Sequence, residues 1–254
     1  MPAIEVDRLG YQVGGFQIVS DVSFAVEPGE FVTIIGPNGA GKTSLFNLLS
    51  GLYRASAGSV RLLGRDITRM RPSRRARLGL GRTFQTSTVF NALTVLENVR
   101  LGVQAREGGS LRIWRRTGAD KATVERARQA LALVGLEAAE RQLAGQLPHG
   151  TKRRLELAIL LGGGFDVLLL DEPTSGLSVE HVPEMVEVIR RLQREEGKTV
   201  LMVEHRMDLV MGLSDRIAVM HRGRLLVIDT PARVMKNRAV QEAYLGPESV
   251  EAAS

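Results

Sequence analysis

The sequence lacks cysteine and long hydrophobic runs, two features that most directly indicate secretion or a membrane span. Without a thiol, disulfide bridges, iron–sulfur clusters and cysteine catalysis are excluded. No uncharged apolar run approaches the roughly 18 residues that a transmembrane helix needs. The N-terminal run MPAIEVDRLGYQ shows neither the apolar core nor the cleavage site of a signal peptide. We therefore expect a cytosolic protein, whose role at a membrane would depend on a partner that spans it.

Aromatic residues are scarce, and positive charge is concentrated in one segment. Between Arg61 and Arg82 the chain carries eight arginines against one acid, Asp66, so this segment alone exceeds the net charge of +6 of the chain. A basic segment attracts nucleic acid, an anionic membrane surface or an acidic partner, and a solvated helix face is the alternative. The nearest aromatic side chain is Phe84. Because single-stranded nucleic acid is held by base stacking, we expect no nucleic-acid partner.

Short apolar runs alternate with segments of helical period. Apolar runs of strand length lie at residues 31–35, 167–170, 199–203, 217–220 and, after a hairpin turn, 225–228. Apolar residues at helical spacing lie at 43–49, over much of 73–135 up to a C-cap at Gly135, and at 182–192. Alternation over 58–67 predicts a strand pair, and residues 105–121, which surround the single tryptophan, Trp114, predict a loop. Buried strands that alternate with helices predict an α/β fold with a largely parallel sheet, covered on both faces.

Residues 36–43 read GPNGAGKT and match the phosphate-binding pattern G-x-x-x-x-G-K-[ST] in full. The run follows a predicted strand and precedes a predicted helix, as the pattern requires. Glycines let backbone N–H groups turn toward a polyphosphate, and the helix N-terminus adds partial positive charge. We expect Lys42 to neutralise the β- and γ-phosphates and the Thr43 hydroxyl to ligate Mg²⁺. The residues expected to hold the nucleotide here are Gly36, Pro37, Asn38, Gly39, Ala40, Gly41, Lys42, Thr43 and Ser44.

Two adjacent carboxylates follow the apolar run at 167–170. Asp171 ends that predicted strand, the expected place for a second Mg²⁺-organising group. Glu172 points to the opposite side if the extended geometry continues, and it is the candidate general base that polarises the attacking water. Two surface acids before a proline turn are the alternative, which the phosphate-binding loop upstream disfavours.

Three further side chains complete the predicted site. Gln85 carries an amide that can reach Mg²⁺ or the attacking water. It can therefore couple the presence of either one to movement of a neighbouring segment. His205 follows the apolar run 200–203 at the carboxyl edge of the predicted sheet, where such sheets bind ligands. Tyr11 is a candidate platform for the adenine ring, with packing in the core as the alternative.

These motifs resemble the nucleotide-binding domain of ABC transporters over nearly the whole chain. GPNGAGKT matches the Walker A loop of that family, Gln85 its Q-loop glutamine, LLLDE its Walker B strand and His205 its switch histidine. The resemblance implies ATP and Mg²⁺ as cofactors, with Mg²⁺ held by Thr43, Gln85 and Asp171. It assigns hydrolysis to Glu172, His205 and Gln85.

The resemblance also implies the architecture. The expected fold is α/β, with a P-loop NTPase (RecA-like) core, an antiparallel β subdomain and an inserted helical subdomain. Residues 1–254 would form one nucleotide-binding domain. The core and β subdomain would cover about 1–85 and 161–235, the helical subdomain about 86–160, and a short C-terminal tail 236–254.

The chain departs from the family at two motifs. The signature, usually LSGGQ, falls at Leu147-Pro-His-Gly-Thr151, where the leucine and one glycine, Gly150, are retained. Pro148 replaces the serine that in the family bonds the γ-phosphate of the opposite subunit. Backbone N–H groups near Gly150 and the helix dipole would have to supply that contact. The aspartate of the D-loop is replaced by Ser178.

These departures are similar to one group within the family. The run LPHGTKRRLELAILL resembles the signature region in ATPases of branched-chain amino acid importers, as do the runs RTFQ, LTVLEN, EHRMD and EAYLG. The resemblance implies an ATP-binding subunit that hydrolyses ATP to drive solute uptake, most directly of branched-chain amino acids. Similar ATPases serve urea, amides and aromatic acids, which stay open as alternative cargo.

The implied partners follow from how the family works. Two ATP-binding subunits, identical or homologous, bury ATP between them and drive integral membrane permease subunits. A solute-binding protein takes part indirectly, and the ATPase sits at the cytoplasmic face of the cell membrane. A soluble ABC-type ATPase acting on DNA or ribosomes is an alternative that the arginine run keeps open. A small-molecule kinase is a third, but it would not explain Gln85, Gly150 and His205 together.

Overall fold

The computed structural model describes residues 1–83, 89–107 and 118–245. Its strands are β1 (Ile4–Val13), β2 (Phe16–Val26), β3 (Phe31–Ile35), β4 (Ala57–Leu62), β5 (Arg65–Asp66), β6 (Leu80–Arg82), β7 (Val167–Asp171), β8 (Thr199–Val203), β9 (Arg216–His221) and β10 (Arg224–Asp229). Its helices are α1 (Lys42–Ser50), α2 (Pro72–Arg77), α3 (Val95–Glu107), α4 (Gly118–Leu133), α5 (His149–Gly162), α6 (Val182–Arg194), α7 (Met207–Leu213), α8 (Pro231–Met235) and α9 (Arg238–Leu245). No helix in these ranges has the length and hydrophobicity to cross a bilayer.

The smaller sheet has the strand order β2-β1-β4-β5 and is antiparallel throughout. Its central strand β1 pairs on one side with β2 and on the other with β4, so that Ile4 lies opposite both Val26 and Leu62. Gly14 and Gly15 connect β1 to β2 with φ angles of 53° and 86°, the left-handed backbone that tight hairpins require. The strand pair predicted at 58–67 is confirmed as β4 and β5.

The larger sheet has the strand order β10-β9-β3-β8-β7-β6. Neighbouring strands from β9 to β6 run parallel, and β10 joins β9 in an antiparallel hairpin. Arg222 and Gly223 make the hairpin turn with φ angles of 48° and 80°. The largely parallel sheet predicted from the apolar runs is confirmed, and the smaller sheet is the expected antiparallel companion.

Side chains of the central strands alternate between two apolar clusters. On β7, Val167 and Leu169 join the cluster that includes α1 and the antiparallel sheet, whereas Leu168 and Leu170 join the cluster that includes α5 and α6. On β8, Val200 follows the same rule, lying in the α5–α6 cluster. This period of two explains why the strands read as continuous apolar runs, because both faces of the sheet are buried.

The helical expectation over 73–135 is wrong at residues 80–82, where β6 pairs in parallel with β7. A Cβ on Gly81 would come within 2.8 Å of the Phe165 ring, so a small residue lets β6 pack closely there. A strand of three residues has no alternation long enough to read from sequence. The helix ends as expected near Gly135, whose φ angle is 67°, while the Leu136 N–H bonds the Leu131 carbonyl at 2.9 Å.

The loop predicted at 105–121 is too long at both ends. Helix α3 continues to Glu107 and α4 begins at Gly118. The α3 helix is stabilised by packing, since Val99 and Val103 lie against α5 close to Gly162. Tertiary contacts of this kind override the local preference of charged and glycine-bearing residues. Trp114 lies outside the described residues.

Parallel strands place their carboxyl ends at one edge of the larger sheet. The loop after β3 begins at Gly36, β7 ends at Asp171, and β8 ends just before Glu204 and His205. The three strands are direct neighbours in the order β3-β8-β7. This edge therefore brings together segments that are far apart in the sequence, as the position of binding sites in open α/β sheets predicts.

Candidate functional site

The loop between β3 and α1 has a backbone that only glycine fits at two positions. Gly36 and Gly41 have φ angles of 155° and 96°. A Cβ on Gly36 would lie 2.2 Å from the Met220 carbonyl oxygen, and one on Gly41 would lie 2.9 Å from the Ile18 carbonyl oxygen. The loop is thus wedged between β9 and β2, which fixes the course of its backbone.

Lys42 folds back across this loop. Its side chain is buried, and Nζ donates hydrogen bonds to the carbonyl oxygens of Gly36 at 2.7 Å and Pro37 at 3.0 Å. Burial lowers the pKa of Lys42, and the charge of Glu172 acts in the opposite direction. An ammonium group held in this way places positive charge within the loop, where polyphosphate oxygens would provide the missing counter-charge.

The start of α1 supplies unpaired backbone donors. The helix begins at Lys42, so the N–H groups of Lys42, Thr43 and Ser44 have no partner inside it. The helix dipole adds partial positive charge at the same end. Thr43, Asn38 and Gly39 are exposed, whereas Ala40 is buried and its N–H bonds the Pro37 carbonyl at 3.1 Å. Loop and helix start together fit a chain of phosphates.

Asp171 lies at the end of β7 and is paired with an arginine. Its Oδ2 accepts a hydrogen bond from Nη2 of Arg82 at 2.9 Å, with both side chains buried. Burial raises the pKa of Asp171, and the neighbouring guanidinium acts against that rise. Burial also lowers the pKa of Arg82, which the aspartate opposes. The Asp171 N–H bonds the Thr83 hydroxyl at 3.1 Å, so the backbone of this residue is fixed as well.

Arg82 connects Asp171 to the helix that follows the phosphate loop. Its Nη1 donates to Asn47 Oδ1 and to Ser50 Oγ, each at 2.7 Å. Its guanidinium carbon lies 5.7 Å from the centre of the Phe46 ring, within the range of a cation–π contact. The three contacts on α1 and the pair with Asp171 hold the carboxylate in register with the loop.

Glu172 departs from the expected extended geometry. Its φ angle is 47°, which places it in the left-handed region, and its N–H bonds the Val203 carbonyl at 2.9 Å. The expectation that it continues the alternation of β7 is therefore wrong. The turned backbone directs the side chain to His205, whose Nε2 lies 2.8 Å from Glu172 Oε1. A non-glycine residue in this conformation costs of order 1–3 kcal/mol, and such strain is typical of functional sites.

Glu204 and Thr174 belong to the same region, although sequence reasoning had assigned them no role. Glu204 is buried, and its Oε1 accepts the His205 N–H at 3.0 Å. Its Oε2 accepts the Thr174 hydroxyl at 2.9 Å. The signal available in the sequence was the acid directly before His205 in the run EHRMD, which carries no information about its distant partner.

The roles of two of the predicted site residues stay predictions. Gln85 lies outside the described residues. The Tyr11 ring stacks on the Tyr53 ring, with centroids 4.9 Å apart and an angle of 19° between the planes. One face of Tyr11 is thus covered within the chain. Its role toward adenine stays a prediction.

The signature segment forms the start of α5. Pro148 is the residue before the helix and provides no capping side chain, so the first N–H groups of α5 keep no side-chain partner at this position. A Cβ on Gly150 would lie 3.3 Å from Leu177 and 3.5 Å from His181, so this glycine borders the turn after β7. Within one chain the start of α5 therefore packs against that turn.

The residues at the sheet edge fit both a nucleotide and Mg²⁺. Glycine at positions 36 and 41 lets the loop backbone pass close to the carbonyl oxygens of Met220 and Ile18, where a Cβ would not fit. The first turn of α1 offers free N–H donors to phosphate. In residues 1–83, 89–107 and 118–245 there is no cluster of three His, Asp or Glu side chains that would hold a metal alone. A hydroxyl and one carboxylate suit Mg²⁺, which takes its other ligands from water and phosphate.

Comparison with known proteins gives consistent matches. A family model described as ABC transporter matches residues 19–175. The chain is 38% identical to the high-affinity branched-chain amino acid transport ATP-binding protein LivG of Escherichia coli (strain K12), covering 96% of this chain and 98% of the relative. It is 37% identical to BraF of Pseudomonas aeruginosa, which has the same description, again covering 96% and 98%.

Solved structures agree with these matches. The crystal structure of a nucleotide-free ATP-binding cassette from an ABC transporter is 27% identical to this chain. It superposes with a TM-score of 0.83 and covers 96% of this chain and 99% of its own. The similarity therefore extends over the parallel sheet, the antiparallel sheet and the helices together.

Proposed function

The chain belongs to the ABC transporter family of ATP-binding proteins, and we propose that it hydrolyses ATP to drive amino acid import through partner permeases. The observation that carries this proposal is the meeting of three segments at one sheet edge. The phosphate loop 36–44, the Asp171–Glu172 turn and His205 come together there. This arrangement provides anion binding, a metal-ligating carboxylate and a hydrogen-bonded general base in one place.

In the proposed site, ATP lies with its phosphates on the loop N–H groups and Lys42. Thr43, Asp171 and Gln85 would hold Mg²⁺, which when bound neutralises charge on the β- and γ-phosphate oxygens. Arg82 holds Asp171 in place through the 2.9 Å bond, and its charge favours the ionised form of the carboxylate. Fixing the phosphates and the carboxylate in advance removes reorganisation from the reaction, which is the main route to catalysis of phosphoryl transfer.

Glu172 is the proposed general base. Its carboxylate would polarise the attacking water, a contribution typically of about 10²–10⁴ in rate. His205 holds one carboxylate oxygen at 2.8 Å, which leaves the other free to face the water. The strained backbone at Glu172 and its bond to Val203 fix where that carboxylate points.

A second ATP-binding subunit completes the proposed site. We propose that another subunit covers the γ-phosphate bound at Lys42, since the start of α5 packs on the turn after β7 of its own chain. Gly150 of each subunit would then face the nucleotide of the other, and two ATP molecules would be buried between them. Closure by ATP completes each site by induced fit, and hydrolysis reopens it.

We propose integral membrane permease subunits as the partners that receive this motion, with a solute-binding protein acting on their far side. Gln85 and the helices α3–α5, which make up most of the proposed helical subdomain of about 86–160, would move together as ATP is bound and released. The chain would lie at the cytoplasmic face of the membrane, held by the permeases. Branched-chain amino acids are the proposed cargo, because LivG and BraF, which match over nearly their full length, are named for that transport.

Purification and reconstitution test the proposal. The tagged chain is isolated from detergent-solubilised membranes together with the proteins that bind it. The complex is then reconstituted in vesicles, with ATP supplied on the side of the ATPase. We expect permease subunits to co-purify and labelled leucine to enter only with ATP and Mg²⁺, while the Lys42→Ala variant supports no uptake. Copurification with nucleic acid instead of membrane proteins would contradict the proposal. Uptake of urea or aromatic acids in place of leucine would contradict the assigned cargo.

A further inference from the structure

The buried carboxylate of Glu204, which is not one of the proposed catalytic groups, connects the two segments that carry Glu172 and His205. Glu204 is 4% exposed and lies between the end of β8 and His205. Its Oε1 accepts the backbone N–H of His205 at 3.0 Å and, less closely, that of Arg206 at 3.4 Å. Its Oε2 accepts the hydroxyl of Thr174 at 2.9 Å. The two carboxylate oxygens therefore accept hydrogen bonds from two different segments.

Thr174 belongs to the turn that carries the general base. It is buried, two residues after Glu172, and the turn is closed by the Ser175 N–H bonding the Glu172 carbonyl at 3.0 Å. Its hydroxyl hydrogen is committed to Glu204. The carboxylate thus joins the turn that carries Glu172 to the backbone of His205, and the side chains of these two residues are themselves 2.8 Å apart.

We propose that Glu204 is a positioning residue, which fixes the distance between Glu172 and His205 by bridging Thr174 to the His205 backbone. This inference rests on the proposed function, in which Glu172 and His205 act on bound ATP. In the described part of the chain, the side-chain hydrogen bonds of Glu204 go to Thr174, His205 and Arg206, and none goes to the phosphate loop or to Lys42. Losing the bridge should therefore slow the hydrolytic step and leave ATP binding intact.

The two partners of the bridge allow paired variants. Glu204→Leu keeps the approximate volume and removes both acceptors, whereas Glu204→Gln keeps an oxygen for the His205 N–H and an amide N–H₂ that can donate to the Thr174 oxygen. Thr174→Val removes the hydroxyl with little change in shape, and Thr174→Ser keeps it. Thr199→Val is the matched control, because Thr199 is a buried threonine at the other end of β8 whose oxygen accepts the Gly29 N–H at 3.0 Å.

The experiment measures steady-state ATP hydrolysis of the chain in complex with its co-purified partners. We expect Glu204→Leu and Thr174→Val to lower kcat about tenfold or more, since misplacing catalytic groups by about 1 Å can cost about 10²-fold. The KM for ATP should stay within about twofold. Glu204→Gln, Thr174→Ser and Thr199→Val should keep kcat within about threefold of the wild type. In a His205→Ala background, Thr174→Val should lower kcat no further, because the contact that the bridge supports is already gone.

Several outcomes would overturn the inference. They are unchanged kcat in Thr174→Val, equal losses in Thr174→Val and Thr199→Val, and additive losses with His205→Ala. A loss in Glu204→Gln as large as that in Glu204→Leu would assign the effect to the charge and not to the bridge. If Glu204→Leu does not fold, the Thr174→Val and Thr174→Ser pair decides. A wild-type complex without ATP hydrolysis would remove the proposed function, and this inference with it.

Discussion

The Nε2 atom of His205 lies 2.8 Å from Oε1 of Glu172, although the residues come from the ends of two different strands. The pairing depends on a backbone turn at Glu172 that leaves the extended conformation of β7. A carboxylate held by a hydrogen bond on one oxygen can face a water with the other. This relationship is the basis of the first prediction.

Replacing the carboxylate of Glu172 should separate ATP binding from hydrolysis. Glu172→Gln keeps the size of the side chain, so we expect ATP to bind as in the wild type and to stabilise a closed dimer. Hydrolysis should fall by about two orders of magnitude or more, because the amide cannot take a proton from water. ATPase rates and ATP-dependent sedimentation measure the two effects. The exposed Glu187→Gln on α6 is the control, and normal turnover by Glu172→Gln would remove Glu172 from its proposed role.

The missing signature serine gives a second prediction. If Pro148 removes a γ-phosphate contact made across the dimer, Pro148→Ser should tighten ATP-driven pairing, since a hydroxyl adds a donor at the start of α5. Dimer affinity is best measured by sedimentation in the Glu172→Gln background, where ATP is not consumed. Pro183→Ser, a proline at the start of α6, serves as the control. Unchanged affinity would mean that backbone donors already hold the phosphate.

The buried pair of Arg82 and Asp171 predicts a pH-dependent loss of stability. Arg82→Leu leaves Asp171 buried without its partner, which we expect to cost about 3–5 kcal/mol of unfolding free energy at neutral pH. Burial already raises the pKa of Asp171, and loss of the guanidinium raises it further. The penalty is full above that raised pKa and shrinks as the pH falls through it, because the neutral acid is cheaper to bury.

Urea unfolding at neutral and mildly acidic pH measures this dependence. Arg206→Leu breaks the exposed pair with Asp208 and should leave the free energy of unfolding nearly unchanged. A pH-independent loss in Arg82→Leu would show that packing, and not the charge of Asp171, causes the effect.

Arg75 of the basic run has a structural role, as Arg82 does. Arg75 is 2% exposed, and its guanidinium donates to the carbonyl oxygens of Leu48, Leu49, Met70 and Thr68 at 2.6–3.0 Å. Burial lowers its pKa to about 10, so it stays charged at neutral pH. Arg75→Met would remove the donor from all four carbonyls, of which only Leu48 is known to keep another, the Gly51 N–H, and should cost about 3 kcal/mol or more of unfolding free energy. The exposed Arg74→Met should stay within about 0.5 kcal/mol, and equal losses in the two variants would contradict this assignment.

The fold could be predicted where the hydrophobic pattern is long and consistent. Strands buried on both faces, such as β7 and β8, gave continuous apolar runs, and α6 gave a clear helical stripe. The three-residue strand β6 could not be predicted, because its place depends on pairing with β7 and on the small size of Gly81. The start of α4 was missed because Gly118, Asp120 and Lys121 favour a loop by local preference.

The candidate site could be predicted where its groups lie in one contiguous run of residues. The loop 36–44 has its pattern in neighbouring residues, so it can be recognised from the sequence alone, and its role as the nucleotide site stays a prediction. The links through Arg82, Glu204 and Thr174 join residues about thirty to ninety positions apart, and no local pattern encodes such a contact. The turned backbone of Glu172 was missed for the same reason, since its partner Val203 belongs to another strand.

The most direct test of the account is equilibrium binding of ATP to the purified chain with its partners, with and without Mg²⁺. Lys42 lies between the Gly36 and Pro37 carbonyls, where it would meet the phosphates. We predict Mg²⁺-dependent binding by the wild type and at least a tenfold weaker affinity, about 1.4 kcal/mol, for Lys42→Ala. Binding that ignores both Mg²⁺ and the loss of Lys42, or no binding at all, would contradict the assignment of the loop 36–44 as the nucleotide site.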